Sequence, residues 1–177
     1  MKFAIRPSQF AEDLDKSKFA DPAAYVLETA RQKALDVERS MRQEGVSIYN
    51  STTHLVAHRC ADAVRSDHRR RSIVVLQDRI LEKPSDVEDA HHMLRTLSGT
   101  SHEVLTALVL VTPRHDRGAA SGTEQRQEGT VHYKEYIDDH CRLVMNVTRT
   151  EVDFDQLTED AIHGYVLTGL PMDKAGG

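Results

Sequence analysis

The sequence predicts an α/β fold, a mixed twisted sheet with helices packed on it, and three stretches carry that expectation. Asp21-Pro22 opens a segment in which Val26, Leu27, Ala30, Ala34, Val37 and Met41 recur at helical spacing up to Gly45, which is the apolar stripe of a core-facing helix. Val104 to Val111 is a nearly unbroken apolar run rich in β-branched residues, as expected of a strand covered on both faces. Between them, Ser85 to Gly99 reads as a second amphipathic helix. The chain has 177 residues, enough for one domain with a sizeable core and too few to expect two.

Each element has a local reason. Asp21 is a ready N-cap and Pro22 suits the first helical position, where no backbone N–H is required. Residues 46–72 crowd Ser, Thr, His and Arg together with only faint periodicity, so no regular element is predicted there. Ile73-Val74-Val75-Leu76 is a short apolar strand followed by a turn at Gln77-Asp78. Ser85 with Glu88 reads as a capping box, Val87, Ala90, Leu94 and Leu97 define one helical face, and Gly99 ends it. Pro113 to Gly129 is polar and reads as a long exposed loop. Cys141 to Phe154 alternates apolar and polar residues as one or two strands would, and Thr158 to Leu167 is a final helix. No internal repeat is visible.

Bulk properties narrow the function. A net charge of -5 gives no general attraction to nucleic acid or anionic lipid, and no apolar run approaches the ~20 residues that span a bilayer. Cys60 and Cys141 are the only thiols and no signal peptide is evident, which points to a reducing, cytoplasmic setting rather than a disulfide framework.

Three segments carry a family resemblance: Ile80-Leu81-Glu82-Lys83-Pro84, Met93 to Val104 with its Leu97-Ser98-Gly99-Thr100-Ser101-His102-Glu103-Val104 core, and Met172-Asp173-Lys174-Ala175-Gly176-Gly177. In this order and spacing they resemble the Maf-like nucleoside triphosphate pyrophosphatases, in particular the eukaryotic dTTP/UTP pyrophosphatase branch. Members read KP, then a helix, then LSG-x-x-H-x-V-x-T, and later PMDKAGG. The resemblance extends to Arg6 to Asp15 and Tyr25 to Ala34, and covers roughly 3–45 and 73–177. It implies one Maf-like domain over 1–177 with its site in a cleft between two lobes. It also implies that the family's N-terminal strand with Ser-x-Ser-Pro-Arg-Arg and its Tyr-Gly-Ile-Gln segment are missing here.

The implied reaction is hydrolysis of a nucleoside triphosphate, dTTP or UTP, to the monophosphate and pyrophosphate. Such chemistry needs cations on the phosphates, an activated water and usually Mg²⁺ or another divalent cation held by carboxylates. By resemblance Lys33, Lys83 and Lys174 bind the triphosphate and Glu12 is a metal or water ligand. Asp173 is expected either to brace the glycine turn or to act. The resemblance also implies pairing into a homodimer, although no apolar exposed helix face marks an interface.

The match breaks at the general base. The family's Asp in Gly-Ala-Asp-Thr stands twelve residues before the lysine of KP, and Arg71 occupies that position here. Arginine stays protonated and accepts no proton from water. Asp67 is the nearest substitute as base and metal ligand, with Asp62 further away; four residues of strand amount to about 13 Å. Leu170 also replaces the Glu of the family's GEP. These departures predict impaired activity, and they leave open a non-catalytic nucleotide-binding or protein-interaction relative. The abrupt break over 46–72 further predicts that another reading frame or splice form restores the family strand.

Two other signals remain weak. His54, His58 and Cys60 have the spacing of metal ligands, but a fourth zinc ligand is lacking. Arg65, Arg69, Arg70 and Arg71 form a basic run, whose acidic surroundings and lack of interleaved aromatics argue against nucleic-acid binding.

Overall fold

The computed structural model describes residues 7–11, 13–45, 55–58, 72–113, 125–127, 130–136 and 141–177. The expected α/β class is what the chain adopts, and every ladder with a described register is antiparallel. The chain forms two compact units, Met1–His58 with Ala107–Val147 and Arg59–Thr106 with Thr148–Gly177.

In the first unit, α1 (Pro22–Gln43) is capped as anticipated. The Asp21 carboxylate accepts from the Ala24 N–H at 2.8 Å, and Pro22 opens the helix. Val26, Ala30, Ala34, Val37 and Met41 are buried, as the stripe requires, and Tyr25 and Thr29 join them. The Thr29 hydroxyl is satisfied by the Tyr25 carbonyl at 2.9 Å. The preceding segment is tied down by Asp36, which accepts from the Ser8 hydroxyl and the Gln9 N–H, both at 2.8 Å.

Strand β1 (Leu55–His58) lies inside the stretch for which no regular element was predicted, and this expectation is corrected. Its backbone pairs with Leu108–Val111, so a cross-strand partner supplies what local periodicity did not. Of the expected loop 113–129, residues Gln125–Gln127 form β5, paired with β6 (Thr130–Tyr136). This unit holds the strand order β4-β7-β6-β5, where β4 is Ser101–Pro113 and β7 is Cys141–Asp153. The stretch read as one or two strands is therefore one, with Leu143, Met145 and Val147 buried.

In the second unit the order is β3-β2-β4-β7, with β2 spanning Ile73–Leu76 and β3 spanning Arg79–Leu81. Along β4, of which residues 101–106 belong to this unit and 107–113 to the first, Leu105, Ala107, Val109 and Val111 are buried, while Val104, Thr106, Leu108 and Leu110 are half-buried. One face is thus deep core and the other only partly covered, less than full burial of both faces would give. Two helices complete the unit, α2 (Val87–Leu97) and α3 (Glu159–Leu167). Ala90, Leu94, Ile162 and Val166 form their shared apolar cluster, with Leu157 and Met172 packed against it.

Two details of α2 correct the sequence reading. The N-cap is Asp86, not Ser85: its carboxylate accepts from the Asp89 N–H at 2.8 Å, while Asp89 accepts from the Ser85 N–H at 2.9 Å. Asp86 thus caps the helix one residue later than expected, and Asp89 reaches back to the residue before the cap rather than to the cap itself. Val87, expected on the buried face, is the first residue of the helix and is 54% exposed, so that face is Ala90, Leu94 and Leu97.

Candidate functional site

The site is built from two turns that the fold brings together within the second unit. The first begins at the β2–β3 hairpin, where Gln77 and Asp78 have φ of 47° and 66°. Positive φ at both central residues matches the right-handed twist of the strands. The register Val74↔Leu81, Val75↔Ile80, Leu76↔Arg79 then fixes where β3 ends. Beyond it, Pro84 is buried and biases Lys83 towards an extended backbone, which separates the lysine from the helix cap at Asp86.

The second turn follows α3. Pro171–Asp173 makes one 3-10 turn, closed by the Lys174 N–H donating to the Pro171 carbonyl at 2.8 Å. Met172 packs inward on the α2–α3 cluster, so its neighbour Asp173 faces outward, 82% exposed. The Gly176 N–H then donates to the Glu82 carbonyl at 3.0 Å, stitching this turn to the residue beside Lys83.

Glycine is required at this stitch. Gly176 has φ +83°, and a Cβ there would come within 3.1 Å of Leu97 Cδ1 and of Val74 Cγ2. Gly177, at φ +95°, lies as closely against the Ala90 carbonyl and Leu94, each 3.3 Å from an added Cβ. Side chains at either position would meet both backbone strain and crowding from β2 and α2. The glycine pair lets the backbone lie flat on these elements.

The consequence is a contact between residues ninety positions apart: Lys83 Nζ donates to Asp173 Oδ1 at 2.6 Å. The lysine side chain is only 17% exposed, so its covered stem limits where the ammonium can go. A lysine ammonium has three donors. One is directed at Asp173, and an ammonium can share its others with further acceptors such as phosphate oxygens.

The neighbouring end of α2 is unsuited to a second anion. Asp86, Glu88 and Asp89 already occupy its first turn, where the helix dipole favours negative charge. A broad, open hollow of about 840 Å³ lies there, lined partly by these acids, His91, His163 and Arg95. Its acidic rim opposes a polyphosphate. Arg95, which lines it, binds Glu159 with two nitrogens, at 2.7–3.1 Å. The pairing holds the Glu159 carboxyl below, and the Arg95 guanidinium above, their usual values.

At the start of β4 His102, 5% exposed, packs edge-on against Phe154 with ring centroids 4.7 Å apart. Burial pushes its imidazole below the ordinary value, against the upward pull of the Thr100 backbone and the Asp153 carboxylate.

Of the residues singled out from sequence, Lys83 and Lys174 therefore lie on two turns joined in the second unit, with Lys174 exposed. Lys33 is half-buried on α1, in the first unit. Glu12, Asp62, Asp67 and Arg71 lie outside the described residues, as do His54, Cys60 and the basic run. Among the described residues no group of three or more His, Cys, Asp or Glu side chains is arranged to hold a metal ion, and no helix is long and apolar enough to cross a membrane. Asp173 as the partner of Lys83 was not foreseen; the shared motif order of the two segments was the available signal.

An α/β unit with a lysine held between a Lys-Pro turn and a C-terminal glycine turn fits the class suggested by its motifs. The sequence profile of the family described as Maf-like protein matches residues 1–177, and the chain belongs to that family. It is 34% identical over its whole length to the human "Probable bifunctional dTTP/UTP pyrophosphatase/methyltransferase protein", covering 23% of that protein. It is 32% identical over 99% of its length to a "Nucleoside triphosphate pyrophosphatase" of Dictyostelium discoideum, covering 64% of it. A "dTTP/UTP pyrophosphatase" of Thermococcus kodakarensis is 31% identical over 99% of the chain, which covers 66% of that relative. The chain thus spans between about a quarter and two thirds of the length of these relatives.

Proposed function

We infer that this chain is a nucleoside triphosphate pyrophosphatase that hydrolyses dTTP and UTP, water adding at the α-phosphorus and pyrophosphate leaving, with impaired turnover. The observation that carries the reading is the convergence of the Lys-Pro turn and the glycine turn, which holds a cation between two motif segments. A fixed cation beside the leaving phosphates acts where charge develops in the transition state. The names of the relatives supply the substrate class.

Lys83 and Lys174 are assigned to the phosphates on position and motif, and Lys33 on its motif alone. Mg²⁺, with Glu12 and Asp67 as ligands, belongs to the proposal on chemical grounds, since hard carboxylate oxygens suit that ion. Asp67 is also assigned as the base that takes a proton from water. A cytoplasmic setting and a homodimer complete the proposal.

A second reading, a non-catalytic nucleotide-binding relative, is favoured by one observation: Arg71 stands where the family places its base. Pyrophosphate release from dTTP, UTP and a purine triphosphate, with Mg²⁺ or Mn²⁺, separates the two. Slow, pyrimidine-selective release is expected. Nucleotide binding by folded protein without release would establish the second reading instead.

A further inference from the structure

Resting on the nucleotide reading above, we propose that Asp173 is a positioning residue for Lys83, holding its ammonium so that the remaining donors face the triphosphate. Four observations bear on this. The ion pair is short, 2.6 Å, and joins residues ninety positions apart. The lysine side chain is largely covered while the carboxylate is 82% exposed, so the acid reaches in from a turn that is itself anchored. That anchoring is specific: Met172 is packed on the α2–α3 cluster, the Lys174 N–H closes the 3-10 turn, and the Gly176 N–H is bonded to the Glu82 carbonyl. The two glycines have positive φ and lie so close to Val74, Leu97, Ala90 and Leu94 that an added Cβ would sit 3.1–3.3 Å from them.

The carboxylate is 82% exposed, so water screens part of what the pair contributes to stability. Its effect on Lys83 is geometric. An ammonium on a four-carbon stem rotates freely, and fixing one of its donors orients the other two. A triphosphate brings far more negative charge than one carboxylate and shares the cation rather than being excluded by it. The acid also keeps the ammonium charge directed to this corner and away from Asp86, Glu88 and Asp89 on the adjoining helix turn. Phosphate affinity should therefore depend on residue 173 through Lys83 and not independently of it.

The test uses the full chain and the variants Asp173→Asn, Asp173→Glu, Lys83→Ala and the Asp173→Asn/Lys83→Ala double variant. UTP binding with Mg²⁺ is measured by calorimetry. Separately, without nucleotide, exchange of the Lys83 ammonium protons with solvent is followed by ¹⁵N NMR. Asp173→Asn is expected to weaken UTP binding on the order of five- to ten-fold, Asp173→Glu to restore most of it, and the double variant to bind no worse than Lys83→Ala. Faster ammonium exchange in Asp173→Asn is expected alongside. Binding by Asp173→Asn equal to wild type, or losses that add in the double variant, would overturn the proposal. Should the wild-type chain fail to bind UTP, the nucleotide reading falls and with it the role in phosphate binding. The NMR arm then still decides whether Asp173 orders Lys83: unchanged exchange in Asp173→Asn refutes the ordering itself.

Discussion

Two ion pairs in the same unit tie together segments far apart in sequence, Lys83 with Asp173 and Arg95 with Glu159. By hydrogen-bond geometry the arginine pair is the stronger, with two guanidinium nitrogens engaged. Yet its partners are 53% and 66% exposed, joining α2 to α3 on a surface that water reaches from both sides. The lysine pair has a single bond, but a covered stem, a buried proline and a glycine turn determine its position. Bond number measures how well two side chains meet. Constraint by the surrounding backbone measures how well a charge can be presented to a third party, and only the lysine pair has it.

The sharpest break between the two pairs is expected in turnover. Lys83→Ala should lower pyrophosphate release about a hundred-fold, the usual scale for losing one fixed donor at a developing charge, with thermal stability nearly unchanged. Gly176→Ala comes next and tests the turn rather than the charge. Forcing an alanine into positive φ against Leu97 and Val74 should cost about 2 kcal/mol, read as a lower denaturant midpoint, and should lower activity by displacing Asp173 from Lys83.

His102, buried against Phe154, offers a smaller, pH-dependent effect. Because burial lowers its folded value, the unfolded chain binds the proton first as pH falls below about 6.5. Stability should be full above that pH, decline as pH drops towards the lowered folded value, and level off beneath it. His102→Gln should flatten this slope in denaturation curves taken at successive pH values. The smallest change is expected from Arg95→Ala, which removes the better-bonded pair: neither the melting midpoint nor turnover should shift measurably, because exposed pairs are screened and offset by side-chain ordering.

Much of this was legible in the sequence where local rules act alone. The cap at Asp21, the buried stripe of α1, the apolar β4 run and the final helix all follow from spacing and capping chemistry. The reading failed where a partner decides the outcome. Strand β1 has no periodicity of its own and exists by pairing with Leu108–Val111. The α2 cap lies one residue later than expected because the Asp86 carboxylate accepts from the Asp89 N–H while Asp89 accepts from the Ser85 N–H. For the site, the motifs at Lys83 and Lys174 were visible, but the contact with Asp173 depends on a turn geometry set by two glycines packing on distant residues, information that no single segment contains.

The central claim is that the Lys83 corner, and not the Arg95 surface, meets the triphosphate. Pyrophosphate release from UTP with Mg²⁺ by wild type, Lys83→Ala and Arg95→Ala, in parallel, tests it most directly. Release by wild type that is lost in Lys83→Ala and kept in Arg95→Ala is the predicted result; release that survives Lys83→Ala would contradict the account.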